Sequence, residues 1–228
     1  MAKAQRVFIS GSTGYMGRQL IPALLARGHT VRALIRPQSQ HKLPAGCTAI
    51  VGNALDATSY REKISPADTF VHLVGVAHPS PAKAAQFRSI DLVAAREGIE
   101  AGKFVGVDHF IYVSVAQPAP VMKAYVAVRS ECESLLRESG LNATILRPWY
   151  VLGPHHRWPY LLMPLYWLLE RVPATRQGAL RLGLVSLAEM TSALLRAVEN
   201  RAVGMRVWGV AEIRQAGEFG EFIDAARA

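Results

Sequence analysis

The sequence has few cysteines and no long apolar run, and each shortage excludes a class of protein. It has two cysteines, Cys47 and Cys132, too few for a disulfide-stapled scaffold or a zinc centre, so no metal site is predicted. It also has no uncharged apolar run of eighteen residues, so no transmembrane helix is predicted. The apolar residues 158–169 are too few to span a bilayer, which leaves contact with a membrane surface open. With no signal peptide discernible in the first five residues, we expect a cytoplasmic protein.

Acidic residues are missing from the first quarter of the chain. Residues 1–55 carry seven lysines and arginines and no acid before Asp56, within a net charge of +9. Such a surface suits a polyanion, which would be nucleic acid or a phosphorylated cofactor. We find no basic helix interleaved with aromatic residues, no zinc finger and no RNA-binding signature, so nucleic acid is not an expected partner.

The hydrophobic pattern alternates between short apolar runs and amphipathic stretches. The predicted strands span residues 6–10, 30–35, 47–51, 69–73, 109–114 and 143–146. The stretches between them carry mostly helical signals, which predicts an α/β fold with a doubly wound parallel sheet of Rossmann type. We expect residues 1–228 to form one domain, in which the small appended region 149–228 supplies most of the substrate side. That region is predicted to hold a proline-broken helix, a strand near 180–185, a helix over 186–200 and a strand near 205–210.

A glycine-rich turn lies directly between the first strand and the first helix. Residues 11–17 read Gly-Ser-Thr-Gly-Tyr-Met-Gly, a GxxGxxG pattern. Glycines at these positions allow a tight turn and a close approach of the backbone to a pyrophosphate, which the helix N-terminus attracts. The position in the chain predicts a dinucleotide site rather than a purely structural turn.

The end of the second strand indicates which dinucleotide binds. An NAD-specific fold places an acid there for the ribose 2′-hydroxyl, but this chain reads Ile35-Arg36-Pro37. A guanidinium at Arg36 suits a 2′-phosphate, so NADP is predicted over NAD. The alternative is that Arg36 is an ordinary solvated loop residue.

These motifs together resemble a short-chain dehydrogenase/reductase of the atypical or extended kind. More narrowly, the chain is similar to the NAD(P)H-binding group that includes the accessory NADPH-binding subunit of respiratory complex I and nitrogen-regulator-like proteins. The likeness covers about residues 5–210. Besides the glycine turn, it rests on Gly52-Asn53, the His72–Gly75 segment, Tyr112-Val113-Ser114, the Tyr125/Arg129 pair and Leu146-Arg147-Pro148.

The resemblance assigns cofactor contacts beyond the turn. It implies that Asn53 and Ala54 lie against the adenine, that Val74 and Gly75 line the adenosine ribose, and that Pro148 flanks the nicotinamide. The family usually has Asp at the position of Asn53. The predicted cofactor-binding residues are Gly11, Ser12, Thr13, Gly14, Tyr15, Met16, Gly17, Arg36, Asn53, Ala54, Val74, Gly75 and Pro148.

The resemblance also implies a catalytic set, in which Ser114 orients the substrate oxygen and Tyr125 moves the proton. The family's third residue is Lys, four positions after the Tyr, but this chain has Arg129. Positions i and i+4 share a helix face, and a cation near a phenol favours its ionised form. Arg is planar and never a proton relay, however. Two hypotheses therefore stay open: a working general acid at Tyr125, or a site that holds NADP(H) without turnover.

The last third of the chain bears on the substrate. Residues 149–169 are rich in Trp, Tyr and Leu, which would suit a small apolar, aromatic or quinone-like molecule, although packing on the core or on a second subunit explains them equally well. We expect an NADP-dependent oxidoreductase. The alternative is a non-catalytic NADP(H)-binding regulatory or assembly protein, and a sugar-nucleotide epimerase or dehydratase is less favoured. The sequence does not determine the oligomeric state.

Overall fold

The structure, a computed structural model, describes residues 3–153, 178 and 180–225, with side chains up to residue 217. The strands are β1 Arg6–Ser10, β2 Thr30–Ile35, β3 Thr48–Val51, β4 Thr69–His72, β5 His109–Val113, β6 Ala143–Leu146, β7 Tyr150–Leu152, β8 Leu184–Ser186 and β9 Met205–Trp208. The α-helices are α1 Gly17–Ala26, α2 Ala84–Gln86, α3 Val93–Val105, α4 Lys123–Glu138, α5 Leu187–Glu199 and α6 Val210–Ala225. A π-helical turn, Phe87–Leu92, joins α2 to α3, and 3₁₀ turns lie at Pro37–Lys42, Ala57–Ser59, Arg61–Lys63 and Pro81–Lys83.

Seven strands form one sheet in the order β3-β2-β1-β4-β5-β6-β9, and every neighbouring pair is parallel. The chain runs outward from β1 to β3, then crosses to β4 on the other side of β1. In such sheets the strand order reverses at this point, and the carboxyl ends of the strands open a crevice there. Strands β7 and β8 pair separately as a small parallel ribbon.

Helices cover both faces of the sheet, and each face has its own hydrophobic core. Under α1, α5 and α6 the core includes Leu20, Leu24, Met190, Leu194 and Ile213. On the opposite face, α3 and α4 pack over a second core that includes Phe70, Ile99, Phe110, Val128 and Leu136. The central strands are therefore buried on both sides, which explains why they read as continuous apolar runs.

The predicted fold class is confirmed. Between β4 and β5, the helical residues are divided by the π-helical turn. The strand predicted near 180–185 begins only at Leu184, since residues 180–181 are helical. Helix α5 begins at a capping box, in which Ser186 and Glu189 each bond the other's backbone amide. The predicted proline-broken helix and the aromatic residues 154–169 lie outside the described residues. No helix in the described ranges is both long and apolar enough to cross a bilayer.

Candidate functional site

The glycine turn between β1 and α1 is shaped by the absence of side chains. Gly11 has φ +77°, and a Cβ there would lie 2.7 Å from the carbonyl carbon of Leu73. A Cβ on Gly17 would lie 2.4 Å from the carbonyl oxygen of Ser12. Gly14 differs, since it is exposed and its Cβ would meet only the carbonyl oxygen of Gly11, at 3.1 Å. Two glycines therefore serve close packing inside the fold, while the third keeps the outer surface of the turn bare, as an approaching pyrophosphate requires.

The other residues of the turn tie it to its neighbours. The Ser12 hydroxyl is buried and donates 2.7 Å to the carbonyl oxygen of Leu34, so it anchors the turn to β2 and leaves only its backbone amide for a phosphate. The side chains of Thr13 and Met16 are half-buried. The Tyr15 ring reaches across to the end of β7, where a Cβ on Gly153 would lie 1.9 Å from the phenol oxygen.

The predicted adenosine side lies at the carboxyl ends of β2 and β3. Arg36 follows β2, is exposed, and makes no ion pair within the described ranges. The amide of Gly52 donates 3.0 Å to the carbonyl oxygen of Ile35, which brings Asn53 and Ala54 beside the end of β2. The Asn53 side chain accepts a bond from the Leu55 amide at 3.1 Å and so shapes its own turn.

On the other side of the switch point, the segment after β4 passes beside the turn. Val74 is half-buried next to Gly11, and Gly75 is exposed. The structure thus brings the glycine turn, Arg36, Asn53, Ala54, Val74 and Gly75 to one edge of the sheet. Their contacts with a cofactor stay a prediction. The bare outer face at Gly14 and the free cation at Arg36 fit a phosphorylated dinucleotide.

Arg129, the residue in place of the family's Lys, is almost fully buried and fully bonded at its two terminal nitrogens. Its Nη2 donates 2.6 Å to Asp91 Oδ1, and its Nη1 donates to Tyr112 Oη at 3.1 Å and to the Val113 carbonyl oxygen at 3.0 Å. Burial alone would lower the pKa of Arg129, but the interactions with Tyr112, Tyr125 and Asp91 hold it well above its ordinary value. Its Nε is also buried and meets no hydrogen-bond partner among the described residues. Arg129 is therefore a permanent cation that is bonded internally through its terminal nitrogens.

Tyr125 lies one turn before Arg129 on α4, as the spacing predicts. The guanidinium carbon sits 5.1 Å from the centre of the Tyr125 ring, within the range of a cation–π contact. The Tyr125 ring also packs against Phe87, with the ring centres 5.0 Å apart. The guanidinium charge thus lies against the ring, and Tyr125 as a whole residue is half-buried.

Ser114 is buried just after β5, near a second charged cluster. The Glu133 carboxylate, fully buried, accepts two hydrogen bonds from Arg147, one from Arg137 and one from Gln117. Burial alone would raise the pKa of Glu133, but the hydrogen bonds from Arg147, the proximity of the Ser114 hydroxyl and the bond from Arg137 hold it below its usual range. The Ser114 hydroxyl meets no partner at ordinary hydrogen-bond geometry in the described part of the chain.

The loop after Ser114 is joined to the segment after β6. The Ala116 amide donates 2.9 Å to the carbonyl oxygen of Pro148, so Pro148 is buried beside the β5–α4 loop. A cavity of about 530 Å³ opens nearby. It is lined by Gln117, Pro118, Ala119, Lys123, Val126, Ala127, Ser130 and Arg147. Helical periodicity puts this lining on a different side of α4 from Tyr125, so the cavity is not at the predicted reacting centre.

Sequence reasoning assigned no role to Tyr112 or Glu133. The i,i+4 spacing of Arg129, Glu133 and Arg137 on α4 is a signal for Glu133. Tyr112 gives none, because an apolar strand residue is normally core. Among the described residues, no group of three or more His, Cys, Asp or Glu side chains could hold a metal.

A family model described as NAD(P)H-binding matches residues 11–157, from the glycine turn past β7. The chain belongs to this NAD(P)H-binding family. The predicted Rossmann-type fold and the resemblance to short-chain dehydrogenases are therefore confirmed, while the family description covers NAD and NADP alike. That the glycine turn binds the dinucleotide stays a prediction.

The curated relatives of this chain include enzymes and an assembly factor. The chain is 24% identical to a Stigmatella aurantiaca ketoreductase of a farnesyl dihydroquinoline oxide, covering 65% of this chain and 51% of that protein. It is 26% identical to the photosystem II assembly factor Ycf39 of Cyanophora paradoxa, covering 92% and 66%. It is 27% identical to the 3-diazoavenalumate denitrifying reductase of a Streptomyces species, covering 87% and 74%. The chain thus spans about half to two thirds of the length of the first two relatives.

Solved structures agree on the fold. The Bordetella bronchiseptica enzyme WbmH, in complex with NAD⁺, superposes with a TM-score of 0.68 at 21% identity, covering 91% of this chain and 76% of that one. At this identity the likeness establishes the architecture only.

Proposed function

We propose that this protein is an NADP(H)-dependent oxidoreductase of the short-chain dehydrogenase/reductase type that reduces a small, largely apolar carbonyl or quinone-like compound. The observation that carries the proposal is the carboxyl edge of the sheet. There, a turn whose outer surface is bare at Gly14 stands beside an exposed arginine, and no acid follows β2. Reductases among the relatives support the reaction class, and the ketoreductase of a farnesyl compound supports an apolar substrate.

The roles follow from position. Bound NADPH would supply a hydride to the substrate carbon. Tyr125 is the half-buried tyrosine at the start of α4, and we assign it the proton that neutralises the oxygen. Ser114 and Pro148 lie at the ends of β5 and β6, where they would border the nicotinamide side. Arg129 would act on this site through packing and charge.

A second function, NADP(H) binding by a regulatory or assembly protein without catalysis, is favoured by one observation. The terminal nitrogens of Arg129 are occupied by Asp91, Tyr112 and Val113, so the cation that replaces the family's Lys is turned into the fold. The Ycf39 relative, aligned over 92% of this chain, is an assembly factor. Oxidation of NADPH by the wild type over a panel of quinones, enones and aldehydes distinguishes the two functions.

Cofactor preference tests the binding part of the proposal directly. We expect calorimetric titration to show tighter binding of NADP(H) than of NAD(H). Arg36→Asp should reduce this preference by about 1–3 kcal/mol, the range for charge-assisted hydrogen bonds. Lys42→Asp makes the same charge change at an exposed site six residues away and should leave the preference nearly unchanged. Equal wild-type affinity for both dinucleotides would contradict the role of Arg36.

A further inference from the structure

A buried carboxylate holds the turn that follows β4. The backbone amide of Val76 donates 3.0 Å to Asp91 Oδ2. Asp91 is fully buried in the π-helical turn Phe87–Leu92, and such turns often mark functional positions because they redirect a side chain. One carboxylate oxygen of Asp91 thus accepts a hydrogen bond from the segment that borders the crevice.

The other carboxylate oxygen of Asp91 accepts a hydrogen bond from Arg129, which packs against the turn that follows β4. Arg129 Nη2 lies 2.6 Å from Asp91 Oδ1. A Cβ on Gly75 would lie only 2.4 Å from that same Nη2 and 3.2 Å from Asp91 Oδ1, so the backbone at Gly75 rests directly on the ion pair. Tyr112 and Val113 hold the far side of the guanidinium.

The geometry points to Asp91 and Arg129 as positioning residues for the cofactor. We propose that their ion pair sets the depth of the Gly75-Val76 turn, and thereby the surface that receives the adenosine ribose. This inference rests on the proposed NADP(H) binding. It assigns the cation of Arg129 to support of the turn, in place of the contact with the nicotinamide ribose that the resemblance implies for the family's Lys. Preorganising a binding turn in this way lowers the ordering cost of association.

The chain offers a matched control. Arg88 and Glu131 form a second ion pair between the same two elements, the π-helical turn and α4, at 3.1 Å. That pair is exposed, with 64% and 40% of the two side chains accessible, and exposed pairs contribute little. Arg88→Met therefore removes an ion pair from the same junction and leaves the pair of Asp91 and Arg129 in place.

The test compares Asp91→Asn, Arg129→Lys and Arg88→Met with the wild type. Two quantities are measured: the NADP(H) dissociation constant by calorimetry, and the hydrogen-exchange rate of the Val76 amide by NMR without cofactor. We expect Asp91→Asn to weaken NADP(H) binding at least tenfold and to speed Val76 exchange, because an amide has one acceptor oxygen and cannot accept from both the Val76 amide and Arg129 Nη2. Arg129→Lys should also weaken binding, since one ammonium cannot reach Asp91, Tyr112 and Val113 together. Arg88→Met should change neither quantity.

Opposite results overturn the inference. If Arg129 contacts the nicotinamide ribose itself, Asp91→Asn frees Arg129 for that contact, and NADP(H) binding stays the same or tightens. In that case Arg129→Lys restores the family's usual residue and keeps the affinity. If Asp91→Asn does not fold, Arg129→Lys decides: unchanged affinity overturns the inference. If the wild type binds neither dinucleotide, both the proposed function and the positioning role are contradicted. If the wild type binds NADP(H) and Asp91→Asn binds it equally well, only the inference about positioning is contradicted.

Discussion

The two halves of the crevice, that of β1 and β2 and that of β4, β5 and α4, are formed by different kinds of chemical group. On the side of β1 and β2, the candidate site is formed by backbone, because Gly11 and Gly17 have no room for a Cβ. On the side of β4, β5 and α4, it is formed by buried charge. Among the described residues, the buried carboxylates and the buried guanidinium, namely Asp91, Glu133 and Arg129, all belong to this second half.

This difference determines what each half tolerates. A backbone-formed turn is disrupted by a side chain at a tightly packed glycine such as Gly17, whatever the chemistry of that side chain. A cluster of buried charges keeps its shape under small substitutions, but it fails when one partner of a pair is removed, because the remaining charge stays desolvated and unpaired. Steric changes should therefore act mainly in the first half, and changes of charge or pH in the second.

Removing the Tyr125 hydroxyl should have the largest effect. If the second half is catalytic, Tyr125→Phe lowers NADPH-dependent turnover roughly 10²–10⁴-fold, the usual loss of a general acid, and leaves NADP(H) affinity intact. Tyr60→Phe is the control, since it deletes the same atom from a phenol that is 1% exposed and outside the site. Steady-state rates with the best substrate of the panel decide the matter. Unchanged turnover in Tyr125→Phe would exclude this residue as the acid.

Acid should destabilise the fold through the second half. Burial lowers the pKa of His72 on β4 to about 3 and that of His109 on β5 to about 4, with nearby arginines adding to both shifts. Between an unfolded pKa of about 6.5 and these values, the unfolded chain binds more protons, so stability falls as the pH drops. For His72 the loss between pH 6.5 and 4.5 is roughly 2 kcal/mol.

Urea unfolding at pH 7 and pH 4.5 measures this effect. His109→Gln should show a smaller difference between the two pH values than the wild type. His41→Gln changes an exposed histidine and should keep the full difference. A wild-type unfolding free energy that does not change between these pH values would contradict burial of neutral histidines in this half.

A pair of glycine substitutions tests the first half, with the smallest expected effect. Gly17→Ala should cost about 1–3 kcal/mol of unfolding free energy, since the added methyl meets the backbone of Gly11 and Ser12. Gly14→Ala should leave stability within about 0.5 kcal/mol, yet weaken NADP(H) binding, because its methyl occupies the outer face of the turn. Urea titration and calorimetry separate the two outcomes. Equal stability of both variants would mean that the turn adapts to added volume.

The halves also differ in how far the sequence predicts them. The glycine spacing and the acid-free end of β2 are local signals, so the turn, β1 and β2 match their predicted positions. The environment of Arg129 was not predictable, because its partner Asp91 lies 38 residues away in a π-helical turn that has no sequence signature. Spacing placed Tyr125 and Arg129 on one helix face, but it could not show that the guanidinium turns inward.

The contact between Tyr15 and Gly153 makes the glycine turn dependent on a much later part of the chain. The ring of Tyr15 rests where any side chain at position 153 would have to stand. A minimal unit cut after β6 would retain the glycine spacing and six of the seven strands of the main sheet, yet its turn would lose the surface that orients this ring. Anyone transplanting the nucleotide-binding half into another scaffold would therefore need to carry β7 and Gly153 with it.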